Sequence, residues 1–446
     1  MHHYIPNTPG QQQEMLLSVG FGSMEELFSS VPEDVRLKTP LGIPGGISEL
    51  EAAKRLKDLA KANANTEDYA CFLGAGAYDH FIPAVVSSLL SRQEFYTAYT
   101  PYQPEISQGT LQAIFEYQSV ICMLTGMDVS NASVYDGASA VAEAALLACG
   151  ATKRNEVLVA RSVNPGSRDV LKTYAPFRGI KVIEFGYSDG AADLEDLERL
   201  ISGNTAAVIM QTPNFFGIVE DIEQIAKMAH KSGALLVASC DPIALALLKA
   251  PGDAGADIAV GEGQPMGIPL SFGGPYLGFF AAKESLMRRM PGRIAGETTD
   301  KNGKRCFVLT IQTREQHIRR EKATSNICSN EALCALAATI YLTAMGKEGL
   351  REAAAQCVSK SHYAYDTLIG TGRFKSLFAS AFFKEFAVRY DGDIAKLNEY
   401  LLSNGMIGGY ELGHAYPELS GSWLVAVTEK RTKAQIDALA EKAVEA

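Results

Sequence analysis

Six short apolar runs set the limits on what this chain can fold into. Residues 157–160, 182–185, 206–210, 234–238, 258–260 and 277–281 each suit one buried strand, and helical stretches such as 194–201 and 222–232 lie between them. Parallel strands need a crossover, and crossover helices cover both sheet faces, so near-continuous apolar strands follow. The alternation predicts an α/β fold with a mostly parallel, doubly wound sheet. In such sheets ligands bind beyond the C-terminal ends of the strands. Thr212-Pro213-Asn214 and Asp241 fall there.

The chain has 446 residues, 47% of them apolar, with 40 glycines, enough for two or three domains with sizeable cores. Three parts are expected: a helical arm over 1–65, a large α/β domain over 66–330 and a small α+β domain over 331–446. The arm reading rests on a capping box at Ser23 and Glu26 and on helical spacing over 49–63. The net charge of −10 argues against nucleic acid as the main partner. The first residues lack a basic stretch followed by an apolar one, and no run of 18 apolar residues occurs, so a cytoplasmic protein without a membrane span is expected. The eight cysteines are scattered, and the close pair Cys328 and Cys334 lacks a second pair or nearby histidines, so reduced thiols and no metal site are expected. His317 stands among arginines and completes no ligand set.

Three segments carry chemistry-bearing residues outside the strands. Residues 96–108 are rich in tyrosine and proline, the composition of a rigid exposed binding loop. Tyr135-Asp136-Gly137-Ala138-Ser139-Ala140 opens a helix whose free N–H groups could hold a phosphate, although close helix–sheet packing asks for the same small residues. Residues 283–331 read as charged and loop-like. Their cluster around 313–326 suits either an anion or a solvated face. An apolar helix over 330–345 then leads to strands near 386–390 and 423–427 and helices over 394–402 and 434–444.

The stretch 233–275 combines an apolar strand, Asp241 at its end, a Gly-x-Gly-Gln segment and a Gly-Gly-Pro turn. It resembles the cofactor socket of fold-type I enzymes that use pyridoxal phosphate (PLP), where a carboxylate faces the pyridinium nitrogen and a lysine follows two to three dozen residues later. No lysine lies between Lys249 and Lys283, and both of those read as surface lysines. Tyr4 to Thr8, Tyr99 to Gly109, Gly273-Gly274-Pro275 and Arg320 to Cys328 make the chain similar, over nearly its whole length, to the P-protein family of the glycine cleavage system in its two-subunit bacterial form.

The resemblance implies a fold-type I architecture and a role as the lysine-less first subunit of glycine decarboxylase, inactive alone. Its partner subunit would carry PLP on a lysine, decarboxylate glycine and pass the aminomethyl group to the lipoyl H-protein, in an α2β2 assembly. Gln264 stands where the lysine is expected, and an amide cannot form an imine. Tyr99, Tyr102, Gln103, Glu105, Ser107, Thr324, Ser325 and Asn326 are the expected contributions to the partner's site. Ser271, Gly273, Gly137, Ser139 and Asp241 are the expected weak cofactor contacts, with Asp241 read chiefly as a structural remnant. A scaffold or docking subunit that adds nothing to the active site is the alternative reading.

Overall fold

The computed structural model describes residues 4–327 and 329–446, so Cys328 lies outside the described residues. Two compact units divide the chain, Met1–Asn63 and Ala64–Ala446. The first holds helices Pro9–Ser18, Met24–Leu27 and Glu49–Lys61. At Ser23 the expected box is rearranged: the hydroxyl accepts from the Glu26 N–H, but the Glu26 carboxylate reaches back to the Gly22 N–H at 2.8 Å.

The second unit is built on a seven-stranded sheet. Its strands in chain order are β1 (Val129–Ser130), β2 (Glu156–Ala160), β3 (Lys181–Phe185), β4 (Thr205–Thr212), β5 (Leu235–Cys240), β6 (Ile258–Glu262) and β7 (Gly278–Ala282). They are arranged β1-β7-β6-β5-β4-β2-β3. All pairs from β3 to β6 are parallel, whereas β7 runs antiparallel to both β6 and β1. The predicted α/β sheet is therefore present. Val157, Leu158, Val208, Ile209, Leu236 and Val237 are fully buried, and each such side chain stabilises the fold by about 1.5–3 kcal/mol. The helix Gly137–Thr152 is buried along most of its length, and its alanines allow close approach to the sheet.

Two expectations need correction. Residues 283–331 are not simply loop-like, because Ile294–Thr299 and Arg305–Thr310 form an antiparallel hairpin. Its outer residues Glu297, Thr298, Thr299 and Arg305 are exposed, while Ala295, Phe307 and Leu309 pack with Leu111 and Ile114 of helix Gln108–Thr125. The Gln108 side chain bonds both the N–H and the carbonyl of Phe307 at 2.9 Å. The apolar helix also runs well past 345. It spans Ala332–Gly370, with non-helical backbone at Gly346 where glycine alone tolerates φ 60° and ψ −175°.

A four-stranded antiparallel sheet, ordered Phe374–Ser376, Glu385–Tyr390, Ser422–Ala426 and Tyr410–Glu411, forms the C-terminal part with its own core around Trp423. The loop after β4 joins it to the large sheet. Phe215, Phe216 and Ile218 pack with Ala387, Tyr416 and Leu424. Gly217 has φ +85°, its carbonyl accepts from the Phe383 N–H, and a Cβ there would lie 1.9 Å from the Glu385 carbonyl oxygen. Gly217→Ala is therefore expected to lower stability by about 2–4 kcal/mol, through backbone strain and overpacking together. A urea midpoint measured against a surface Gly→Ala control checks this.

Candidate functional site

The sheet edge predicted to hold ligands does open into a cleft of about 370 Å³, lined by the ends of β4, β5 and β6, the start of helix Gly137–Thr152, the segment 74–78 and Lys384-Glu385. Asp241 follows β5 immediately, as expected, and its Oδ1 accepts from the Ile243 and Ala244 N–H groups at 2.8 and 3.2 Å. Its Oδ2 lies 2.5 Å from Lys384 Nζ, with 11% and 2% of the two side chains exposed. Burial would raise the Asp241 pKa, but the Lys384 charge and hydrogen bond outweigh it and hold the carboxyl below its ordinary 3.8.

The ammonium of Lys384 is enclosed by further partners. His80 Nε2 lies 3.0 Å away, and the Tyr78 ring centroid lies 3.6 Å away in cation–π geometry. His80 Nδ1 meets Glu429 Oε2 at 2.6 Å. Burial and then the Lys384 charge depress the His80 pKa, so a neutral ring that donates from Nδ1 and accepts at Nε2 satisfies both contacts. Glu429 is held at about 2: burial raises it, and the His80 contacts and the Phe81 N–H at 2.7 Å overcome that. The Tyr78 hydroxyl donates to Glu385 Oε2 at 2.5 Å, and the Ala75 N–H donates to Oε1 at 2.6 Å.

Gln264 is 1% exposed, and its amide is fully engaged. Its oxygen accepts from the Tyr78 N–H at 2.8 Å, and its nitrogen donates to the carbonyls of Tyr78 and Ile268 at 2.9 and 2.8 Å. The neighbouring Glu262 ends β6 and accepts three backbone N–H bonds at 3.0 Å, from Gln264, Leu277 and Gly137. Gly137 opens the helix proposed to hold a phosphate, and a Cβ there would come within 2.8 Å of the Glu262 nitrogen. Ser139 gives its N–H to the Asp136 cap at 2.7 Å.

These residues do not fit PLP. Asp241, which would face the ring nitrogen, already holds an internal lysine. The helix start that would face the phosphate already gives its Gly137 N–H to the Glu262 carboxyl, which burial pushes up to about 7, so that donor is taken. Gln264 offers no amine.

The remaining sequence candidates lie elsewhere. Tyr99 lines a second cleft of about 220 Å³ together with Thr100, Arg293 and Asn330. Asn326 lines a third, of about 350 Å³, with Tyr135 and the buried Glu143. Tyr102, Gln103 and Glu105 are exposed, Ser107 and Thr324 are half-buried, and Ser325 is buried with its hydroxyl accepting from the Ile327 N–H. Ser271 and Gly273 sit on an exposed turn where Ser271, Phe272, Gly273 and Gly274 all have positive φ. None of these lines the first cleft. Sequence reasoning missed Lys384, His80, Tyr78, Glu262, Glu429 and Arg293. The one available signal was the charged pair Lys384-Glu385 inside the apolar run from Phe382 to Val388.

The chain matches the family described as glycine cleavage system P-protein over residues 2–442. It is 56% identical over 438 residues to a probable glycine dehydrogenase (decarboxylating) subunit 1 of Carboxydothermus hydrogenoformans, covering 98% of each chain. It is 57% identical over 436 residues to the protein of the same name from Moorella thermoacetica, again covering 98% of each. A crystal structure of glycine decarboxylase (P-protein) of the glycine cleavage system, in inhibitor-bound form, superposes with a TM-score of 0.91 at 41% identity and complete coverage of both chains.

Breaking the buried pair from one side should be costly. Lys384→Met leaves Asp241 without its counter-charge and is expected to lose about 3–5 kcal/mol, while Lys384→Met with Asp241→Asn recovers most of it. Urea titrations of the two variants decide this. pH gives a second check. The depressed Asp241 stabilises above pH 3.8 and loses that contribution as pH falls through its lower folded value. Glu385, pushed by burial to about 7, acts oppositely: its contribution is complete below 4.5 and lost as pH rises through 7. Glu385→Gln should therefore flatten the decline in urea midpoint between pH 5 and 8.

Proposed function

Because this chain belongs to the glycine cleavage system P-protein family, we propose that it acts as the lysine-less first subunit of a two-subunit glycine decarboxylase. The family's cofactor is PLP, which supplies an electron sink for cleavage of the bond between Cα and the carboxylate. The observation that carries the assignment is Gln264. It stands where an imine-forming lysine would be needed, and all three of its amide hydrogen bonds go to the protein backbone. The covalent cofactor then belongs to a lysine-bearing second subunit, with the lipoyl H-protein as acceptor of the aminomethyl group and α2β2 as the assembly. The cytoplasm is the proposed location, and no helix among the described residues is long and apolar enough to cross a membrane.

This chain contributes surface, not a nucleophile. Tyr99 is 86% exposed and Ile106 81%, on a loop stiffened by Pro101 and Pro104. Large apolar side chains held in water in this way favour a partner surface. Tyr99, Tyr102, Gln103, Glu105 and Ser107 are proposed to line the partner's site from one side and Thr324, Ser325 and Asn326 from another, with hydroxyls and amides bonding substrate or anionic groups. The turn at Ser271 and Gly273 is proposed to approach the partner's cofactor. Residues 1–65 are assigned to an arm, 66–330 to the large domain and 331–446 to the small one.

Reconstitution tests the reading. The purified chain mixed with PLP should remain colourless where an imine absorbs, and addition of a lysine-bearing second subunit should restore glycine-dependent release of carbon dioxide. Alanine at Tyr102, Glu105 and Asn326 together is expected to lower kcat/KM at least about 100-fold, the scale of lost positioning, while the complex still forms by size-exclusion chromatography. Unchanged activity in an assembled complex would mean a scaffold subunit instead.

A further inference from the structure

Arg293 is a buried cation without a counter-ion. Only 3% of it is exposed, and no carboxylate of a described residue lies within salt-bridge distance. Its donors reach two neutral hydroxyls at long range, Thr100 Oγ1 at 3.3 Å and Tyr102 Oη at 3.2 Å, and the Tyr102 ring lies 5.4 Å from the guanidinium carbon. Nε has no partner among the described residues. The other strongly buried arginines differ: Arg168 pairs with Glu184, and Arg431 pairs with Asp79. An unpaired buried charge is costly, and such groups persist where an opposite charge arrives.

The cleft beside Arg293 has room for that charge. Among the described residues Arg293 is the only charged one that lines its roughly 220 Å³. The long helix Ala332–Gly370 begins in the same wall, where Asn330, Ala332 and Leu333 line the cleft; its N-cap residue Glu331 gives its N–H to Ser133 Oγ at 3.1 Å, and no side chain of a described residue caps the first turn. An uncapped N-terminus presents free N–H groups and roughly half a positive charge. The rest of the wall is largely apolar, with Phe95, Tyr96, Pro101 and Leu336. The helix end already has the Glu331 carboxyl at its N-cap, so the guanidinium supplies the charge for a single negative group; a dianionic phosphate would leave excess charge against apolar walls.

We propose that this cleft is a carboxylate-binding site, in which Arg293 forms the ion pair and the start of helix Ala332–Gly370 supplies N–H donors. The carboxylate comes either from a small free acid or from an Asp or Glu side chain of a partner subunit; the chemistry is the same. The proposal does not require the assignment of this chain to glycine decarboxylase. Occupation would also fix the loop through Thr100 and Tyr102, since both hydroxyls are held by the same guanidinium.

The test uses the full chain with sodium acetate replacing sodium chloride at constant ionic strength. Wild type is expected to show a saturable rise in Tm of a few degrees, as for any ligand that binds only the folded state, and saturation-transfer NMR of the acetate methyl should report contact. Arg293→Met should abolish both effects. In chloride alone its Tm should equal or exceed that of wild type, because the substitution removes an uncompensated charge. A saturable response that survives unchanged in Arg293→Met, or no acetate contact in the wild-type NMR spectrum, overturns the proposal. The NMR arm on wild type stands even if the variant fails to fold. Repeating the titration on the chain bound to its second subunit separates the sources. A response that persists assigns the site to a free acid, and one that disappears assigns it to a partner carboxylate; either outcome upholds it.

Discussion

The ion pair between Lys384 and Asp241 is the contact on which the ligand-facing edge of the large sheet depends. Both charges are withdrawn from water, a cost that attraction alone rarely repays. It is offset here because each charge gains further polar or aromatic partners. Asp241 gains two backbone donors, and Lys384 gains the imidazole of His80 and the face of Tyr78. Each of these is fixed by a further partner, His80 by Glu429 and Tyr78 by Glu385 and Gln264. Asp241 stands at the end of β5, whereas Lys384 precedes the strand Glu385–Tyr390 of the smaller sheet, so the pair ties the two sheets together across the cleft. A cleft that in other proteins of this architecture must stay open for a ligand is here a point of internal attachment.

Glu262 applies the same physics at the helix start. Free N–H groups and the helix dipole favour any anion placed there, and a carboxylate from β6 meets the requirement without leaving the chain. Glycine at 137 lets the helix approach closely enough for that contact. The motif Tyr135 to Ala140 therefore carries both meanings weighed for it in sequence, an anion seat and a tight helix–sheet contact, and the anion is internal. Gln264 completes the arrangement. Its amide pins the backbone of Tyr78, whose ring lies over Lys384.

Much of the large sheet was legible because its strands are continuous apolar runs, and a run such as 157–160 has few other ways to be buried. Asp241 was legible from its place at the end of such a run, and Gln264 from the absence of lysine around it. The partners were not. Lys384 lies far along the chain, at the start of a strand that reads as an ordinary strand of a small domain, and nothing local says that its ammonium is desolvated. The hairpin 294–310 was hidden because the face that buries Ala295, Phe307 and Leu309 also carries Glu297 and Arg305 towards the turn, where both are exposed and read as loop, so the apolar alternation is short. The basic segment drew attention as a cluster. The informative arginine is a single one outside it, and much of the cluster serves locally: Arg314 holds the carbonyls of Met290 and Gly292, and Arg319 that of Thr313.

Two helix starts in this chain thus have opposite fates. The N-terminus at Gly137 is closed by Asp136 and Glu262, both part of the chain, so an external anion would have to displace a carboxylate that is already in contact. The N-terminus at Ala332 has no side-chain cap and shares its cleft with Arg293, whose charge nothing in the described chain neutralises. Electrostatically, the helix start at Gly137 is satisfied from within the chain, and the unpaired positive charge lies in the wall of the cleft lined by Tyr99 and Thr100. On the loop Tyr99 to Ser107, Tyr99 and Tyr102 are themselves exposed.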